Sequence, residues 1–166
     1  MGHTSGDYDS TALHQAGSQG NAKVAETLLC KGGDPEATDS DGLTPLHHAA
    51  DGPRQGHTAT AQALLLMGAN LEARDDNGLT PLHWAADKGH TATVEALLSQ
   101  GADLAAMTNC GWTPLHWASD QGKTATAMAL LSKGANPDAK VRPFVCPAIP
   151  HLPRRPPPVA DYTFTV

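Results

Sequence analysis

Positive charge is the first thing this sequence has little of. Its 166 residues carry eleven Lys and Arg against seventeen Asp and Glu, a formal net charge of −6. Nucleic-acid phosphates are bound through clustered Lys and Arg, so this balance argues against a nucleic-acid partner and favours a basic protein surface. Cysteine is scarce as well. Cys30, Cys110 and Cys146 form no Cys-x-x-Cys pair. So sparse and odd a set does not make a disulfide framework, which points to a reducing, intracellular setting, cytoplasmic or nuclear. Long apolar runs are missing: the strongest, Ala63 to Met67, is far too short to cross a bilayer, so no membrane insertion is expected. No charged-then-apolar leader opens the chain, and Gly6 stands where a myristoylation start needs Ser or Thr. There is no glycine-rich phosphate cradle, no nucleophile elbow and no carboxylate pair placed for acid–base work. Catalysis, a small-molecule substrate and a cofactor therefore have no residues to rest on.

What is present is repetition. Thr-Pro-Leu-His occurs at Thr44, Thr80 and Thr113, with a variant Thr11-Ala12-Leu13-His14, and the threonines lie 33, 36 and 33 residues apart. A period of this length marks stacked supersecondary units, and four of them exceed the roughly three needed for stability. Thr44 followed by Pro45 supplies an N-cap hydroxyl and then a residue whose missing N–H costs nothing at the first helical position. Leu46, Ala49 and Ala50 follow at helical spacing. Gly20, Gly56, Gly89 and Gly122 can end this first helix in the left-handed region. A second helix buries Val94, Leu97 and Leu98 in the third unit and Ala127, Leu130 and Leu131 in the fourth, and stops at Gly32, Gly68, Gly101 or Gly134. The link beyond it, such as Asn70 to Gly78 with its Asp-Asp-Asn-Gly, suits a tight hairpin tip.

These positions together resemble the ankyrin repeat, from about Asp7 to Lys140. The resemblance implies an all-α solenoid of paired antiparallel helices with projecting β-hairpin fingers. It covers an array over residues 1–140 with units at about 6–38, 39–74, 75–107 and 108–140. It also implies that His14, His47, His83 and His116 tie each unit's turn to the next unit, and that Trp84 and Trp117 pack between helices. The histidines thereby lose their appeal as metal ligands. His47, His48 and His57 are the best candidates, but zinc needs four convergent ligands, whereas motif histidines lie in a row about one repeat apart.

The repeats differ in informative ways. Gln15 stands where later units have His48, Trp84 and Trp117, so the first unit reads as a water-facing cap, and Gly17 in place of Ala is expected to weaken its first helix by roughly 1 kcal/mol. Gly52-Pro53-Arg54 is inserted in the second unit and ends its first helix.

Two columns stand out as candidate contact sites. Leu43, Leu79 and Trp112, each just ahead of the motif threonine, occupy a position that such repeats leave open to partners, and would form an exposed apolar strip. Asp51, Asp87 and Asp120 close the first helices and form a carboxylate row suited to Lys or Arg on a partner, joined by Asp41 and Asp76 and diluted by Arg54, Arg74 and Lys88.

Beyond the array, residues 141–166 turn proline-rich. Pro150-His151-Leu152-Pro153-Arg154-Arg155 fits Pro-x-x-Pro-x-Arg, and Phe164-Thr165-Val166 fits a C-terminal recognition form. Val141, Phe144, Val145 and Ile149 are alternatively a cap over the fourth unit. The function class that follows is a non-catalytic protein-binding scaffold using its concave helix and finger surface. The alternative is a permanent subunit of a larger assembly held by the array ends and the tail.

Overall fold

The computed structural model describes residues 5–53 and 57–139, with side-chain surroundings from Ala12 onward. The expectations placed on Gly56, Arg54 and the proline-rich tail lie outside the described residues. Eight helices follow in order: α1 (Ser5–Gln19), α2 (Ala22–Cys30), α3 (Pro45–Asp51), α4 (Thr58–Leu66), α5 (Pro81–Lys88), α6 (Thr91–Ser99), α7 (Pro114–Asp120) and α8 (Thr124–Ser132). The odd-numbered helices pack in sequence as one layer and the even-numbered helices as a second. The core between them is built from Leu46, Leu82 and Leu115 of the first layer and Leu64, Leu97 and Leu130 of the second, all essentially inaccessible.

Each motif sets its own helix start. Thr44, Thr80 and Thr113 are extended N-caps followed by proline. The histidine three residues on closes the cap: His47 Nδ1 accepts the Thr44 N–H at 3.1 Å and meets Thr44 Oγ1 at 2.9 Å. With Nδ1 accepting, Nε2 carries the proton and donates to the Leu79 carbonyl of the next repeat at 3.1 Å. His83 repeats this toward Trp112 at 3.0 Å, and His14 Nε2 reaches the Leu43 carbonyl at 2.9 Å. The motif histidine is thus a rivet between units.

The first unit departs from the pattern. Ala12 replaces the motif proline, so nothing forces the preceding residue out of helical geometry and α1 runs back to Ser5. Gly17 is not simply a weak helix former. A Cβ there would lie 2.5 Å from the Pro45 carbonyl oxygen, so glycine lets α1 lie against the start of α3.

All regular structure among the described residues is helical, and the fingers are tight turns without strands. The reason lies in one side chain. Asp39 N–H donates to the Leu43 carbonyl at 3.0 Å, but the returning Leu43 N–H is taken at 2.9 Å by Asp39 Oδ1, so a carboxylate replaces the second rung of a hairpin. Asp75 does the same for Leu79 at 2.8 Å. Neighbouring fingers are joined by single backbone bonds, such as Asn109 N to Asn77 O at 3.0 Å, to which the Asn109 side-chain amide adds a bond to the Asp76 carbonyl at 3.1 Å.

Threonines join the second layer. Thr58 Oγ1 lies 2.8 Å from Thr93 Oγ1 and Thr91 Oγ1 lies 2.8 Å from Thr126 Oγ1, linking the first residue of one helix to the third of the next. Thr60 occupies the same third position, facing α2, but the first residue of α2 is Ala22. Its buried hydroxyl accordingly has no hydrogen-bond partner. Among the cysteines, Cys30 is free and exposed and Cys110 is disulfide-bonded, so a sparse and odd count that makes no disulfide framework still includes a bonded thiol.

Candidate functional site

The fingers meet the first helix layer in a groove, and between the second and third repeats this groove deepens into a pocket of about 210 Å³ lined by Leu43, His47, His48, Asp51, Trp84 and Lys88. The side chains are held by the turn aspartates. Asp39 uses Oδ1 to hold its own turn and Oδ2 to reach His48 Nε2 at 2.8 Å. Asp75 does the same with Trp84, whose indole N–H donates to Oδ2 at 3.2 Å. In the fourth repeat the corresponding residue is Thr108, which accepts the Trp112 N–H at 3.1 Å but has no second oxygen to offer. The Trp117 indole N–H is left buried and without a hydrogen-bond partner.

The floor of the pocket is ionic. Lys88 Nζ lies 3.2 Å from Asp51 Oδ1, 3.4 Å from Asp87 Oδ2 and 5.7 Å from the centre of the Trp84 ring. Burial works against the Lys88 ammonium, but Asp51 and Asp87 together outweigh it and hold its pKa above the usual lysine range. Burial raises the Asp87 carboxyl, with Lys88 pulling the other way. His47 is stripped of water and held neutral, its pKa lowered to about 4.

The structure corrects the apolar strip. Leu79 is 0 % and Trp112 4 % exposed, and Leu43 is half-buried against the third repeat's core. The residue before the N-cap threonine turns inward with the extended chain and packs between units, where the Trp112 ring meets Trp117 at 5.1 Å and His116 at 6.0 Å. The carboxylate row is also uneven. Asp51 is partly exposed, Asp87 is buried, and only Asp120 stands in solvent. Lys88 was read as a diluting charge, yet it binds the first two carboxylates together. In the fourth repeat its place is taken by Gln121, whose amide donates to Asp120 Oδ2 at 3.1 Å.

Of the residues in the two columns, Leu43 and Asp51 line this pocket, and its other walls His48 and Trp84 belong to neither column. A signal for both existed: an aspartate nine residues ahead, Asp39 before His48 and Asp75 before Trp84. His57, the third of the histidines weighed as metal ligands, donates from Nε2 to the Ser18 carbonyl at 3.0 Å, spanning two repeats like the motif histidines.

Comparison with known proteins agrees with this geometry. The sequence matches the family described as ankyrin repeats in three copies over residues 2–75 and again over 53–141. This chain belongs to the ankyrin-repeat family. It is also similar to a putative ankyrin repeat protein, FPV223, of fowlpox virus (strain NVSL), with 54 % identity over 37 residues. That match covers 22 % of this chain and 26 % of the viral protein. Ankyrin repeats are in general protein–protein interaction modules, and no helix among the described residues is long and apolar enough to cross a membrane.

Proposed function

We propose that this ankyrin-repeat chain is a non-catalytic scaffold that binds a partner protein along the groove between its fingers and first helix layer. The observation that carries the reading is the pocket itself. A concavity walled by Leu43, His48, Asp51 and Trp84 sets an aliphatic and an aromatic side chain beside polar ones, as partner-binding surfaces do. Asp120 extends the acidic side toward the fourth repeat, and the exposed finger residues Asp41 and Asp76 extend it at the tips. Leu79, Trp112 and Asp87 support this surface from beneath without being contacts of it.

Footprinting tests the reading. The tagged full chain would be loaded with its partner from the source cell and oxidised by hydroxyl radicals with and without that partner. Protection centred on Leu43, His48 and Trp84 is the expected result, with release of the partner as salt rises, because rim charges are screened. Protection confined to the opposite surface, at Leu66 and Met67, would refute it. A complex that survives high salt with protection at the array ends would instead mark a permanent subunit.

A further inference from the structure

We propose that the pocket between repeats two and three is a receptor for a single arginine side chain of the partner, its guanidinium lying along Trp84 and pairing with Asp51. The inference rests on the scaffold reading and narrows it to one residue type at one place.

Charge comes first. One ammonium, Lys88, serves two carboxylates, and neither is fully satisfied. Asp51 Oδ1 is a buried atom 3.2 Å from Nζ while the Asp51 side chain as a whole stays 42 % exposed, and Asp87 Oδ1 is buried with no hydrogen-bond partner in a residue only 4 % exposed. Two carboxylates facing one lysine leave a deficit of positive charge and of N–H donors. Asp51 lines the pocket, so an entering cation reaches it directly.

The remaining walls select the kind of cation. His47 has both nitrogens committed within the fold, and His48 Nε2 is tied to Asp39, so neither competes for Asp51. Trp84 presents a ring that already holds a cation, Lys88 Nζ, at 5.7 Å. A guanidinium stacks on aromatic faces, forks across a carboxylate and is more weakly hydrated than an ammonium, which suits a site with one aromatic wall and one carboxylate edge. The volume of about 210 Å³ admits one side chain and falls below the roughly 300–1,000 Å³ of pockets that enclose a drug-sized ligand. The next junction does not repeat the set: Gln121 stands in the place of Lys88 and Trp84 in that of His48.

The test uses the full chain and small probes. Three indole N–H resonances, assigned by Trp→Phe substitution, are followed while N-acetyl-arginine methylamide, its citrulline analogue or its lysine analogue is titrated in. The arginine probe should shift the Trp84 signal to saturation, the lysine probe should bind at least fivefold more weakly, and uncharged citrulline should leave the signal unmoved. Asp51→Asn should weaken the arginine probe at least fivefold while the Trp112 and Trp117 signals stay in place. Equal responses to arginine and citrulline, equal binding of lysine, or an Asp51→Asn chain that binds as well as the parent would overturn the assignment. If no probe binds while the partner still footprints on the groove, the arginine receptor is refuted and the scaffold reading stands.

Discussion

Mild acid should loosen this array through its buried motif histidines, and the size of the effect can be worked from two of them. His47 and His83 are inaccessible to solvent, and desolvation lowers each pKa to about 4 from an ordinary value near 6.5. Both are neutral in the fold, with Nδ1 accepting from a backbone N–H and Nε2 donating to a carbonyl of the next repeat. A proton on Nδ1 would face a donor. The unfolded chain takes up that proton near pH 6.5 and the folded chain only near pH 4. The stabilisation is therefore complete above about 6.5 and is lost as pH falls through this window. At pH 5 the loss is about 2 kcal/mol per histidine, and it approaches roughly 3 kcal/mol each below pH 4. His90 and His116, also lowered mainly by burial, act in the same direction. The buried Asp75 and Asp87 carboxyls are raised by the same desolvation, so they oppose the trend as pH falls through their raised pKa values. Urea unfolding followed by tryptophan fluorescence should show about 4 kcal/mol less stability at pH 5 than at pH 7.5. His83→Gln should be less stable at pH 7.5 and should show roughly half the acid sensitivity. A folded protein whose buried imidazole resonances titrate near 6.5, or whose stability is level from pH 7.5 to 5, would refute the reasoning.

Three substitutions test the packing. Ala22→Thr gives the orphaned Thr60 hydroxyl the partner that Thr58 gives Thr93, and should add about 1 kcal/mol to stability by urea titration; a loss would mean the ladder geometry does not extend to α2. Gly17→Ala should destabilise despite alanine's better helix propensity, since its Cβ meets the Pro45 carbonyl, and a raised melting temperature would contradict the close approach of α1 and α3. Trp112→Ala should cost roughly 3–5 kcal/mol as a core truncation, and a variant of parental stability would restore Trp112 to the surface.

Where sequence reasoning held and where it failed follows a physical line. Helix starts were legible because Thr-Pro fixes backbone angles locally, whatever lies around it. The motif histidines were legible because one repeating residue implies one repeating bond. Burial of Leu79 and Trp112 was not, since a column shows which residues are equivalent and not which way their side chains turn. The expected β-hairpins gave way because Asp39 and Asp75 use a side-chain oxygen where a strand would use a carbonyl. Lys88 was read only as a diluting charge for a different reason: the fourth unit has Gln121 at its position, and its hold on Asp51 and Asp87 exists only once α3 and α5 lie side by side.

The bonds between units also bear on how such an array can change its length. The second and third repeats each offer the same groups to the next: a histidine donor toward its finger carbonyl and a threonine hydroxyl toward its second helix. The third repeat carries both halves of every pair, since Thr91 reaches forward and Thr93 is reached, while Asp75 satisfies its own Trp84. A tandem duplication of residues 75–107 would therefore insert a unit whose two junctions are chemically complete. A second copy of the first repeat would instead set Ala22 against Val24 at the ladder position of the new joint, where neither side chain has a hydroxyl and no threonine bond can form. Lengthening by duplication thus carries the threonine ladder along at the middle of this chain and leaves it out at a copied first repeat.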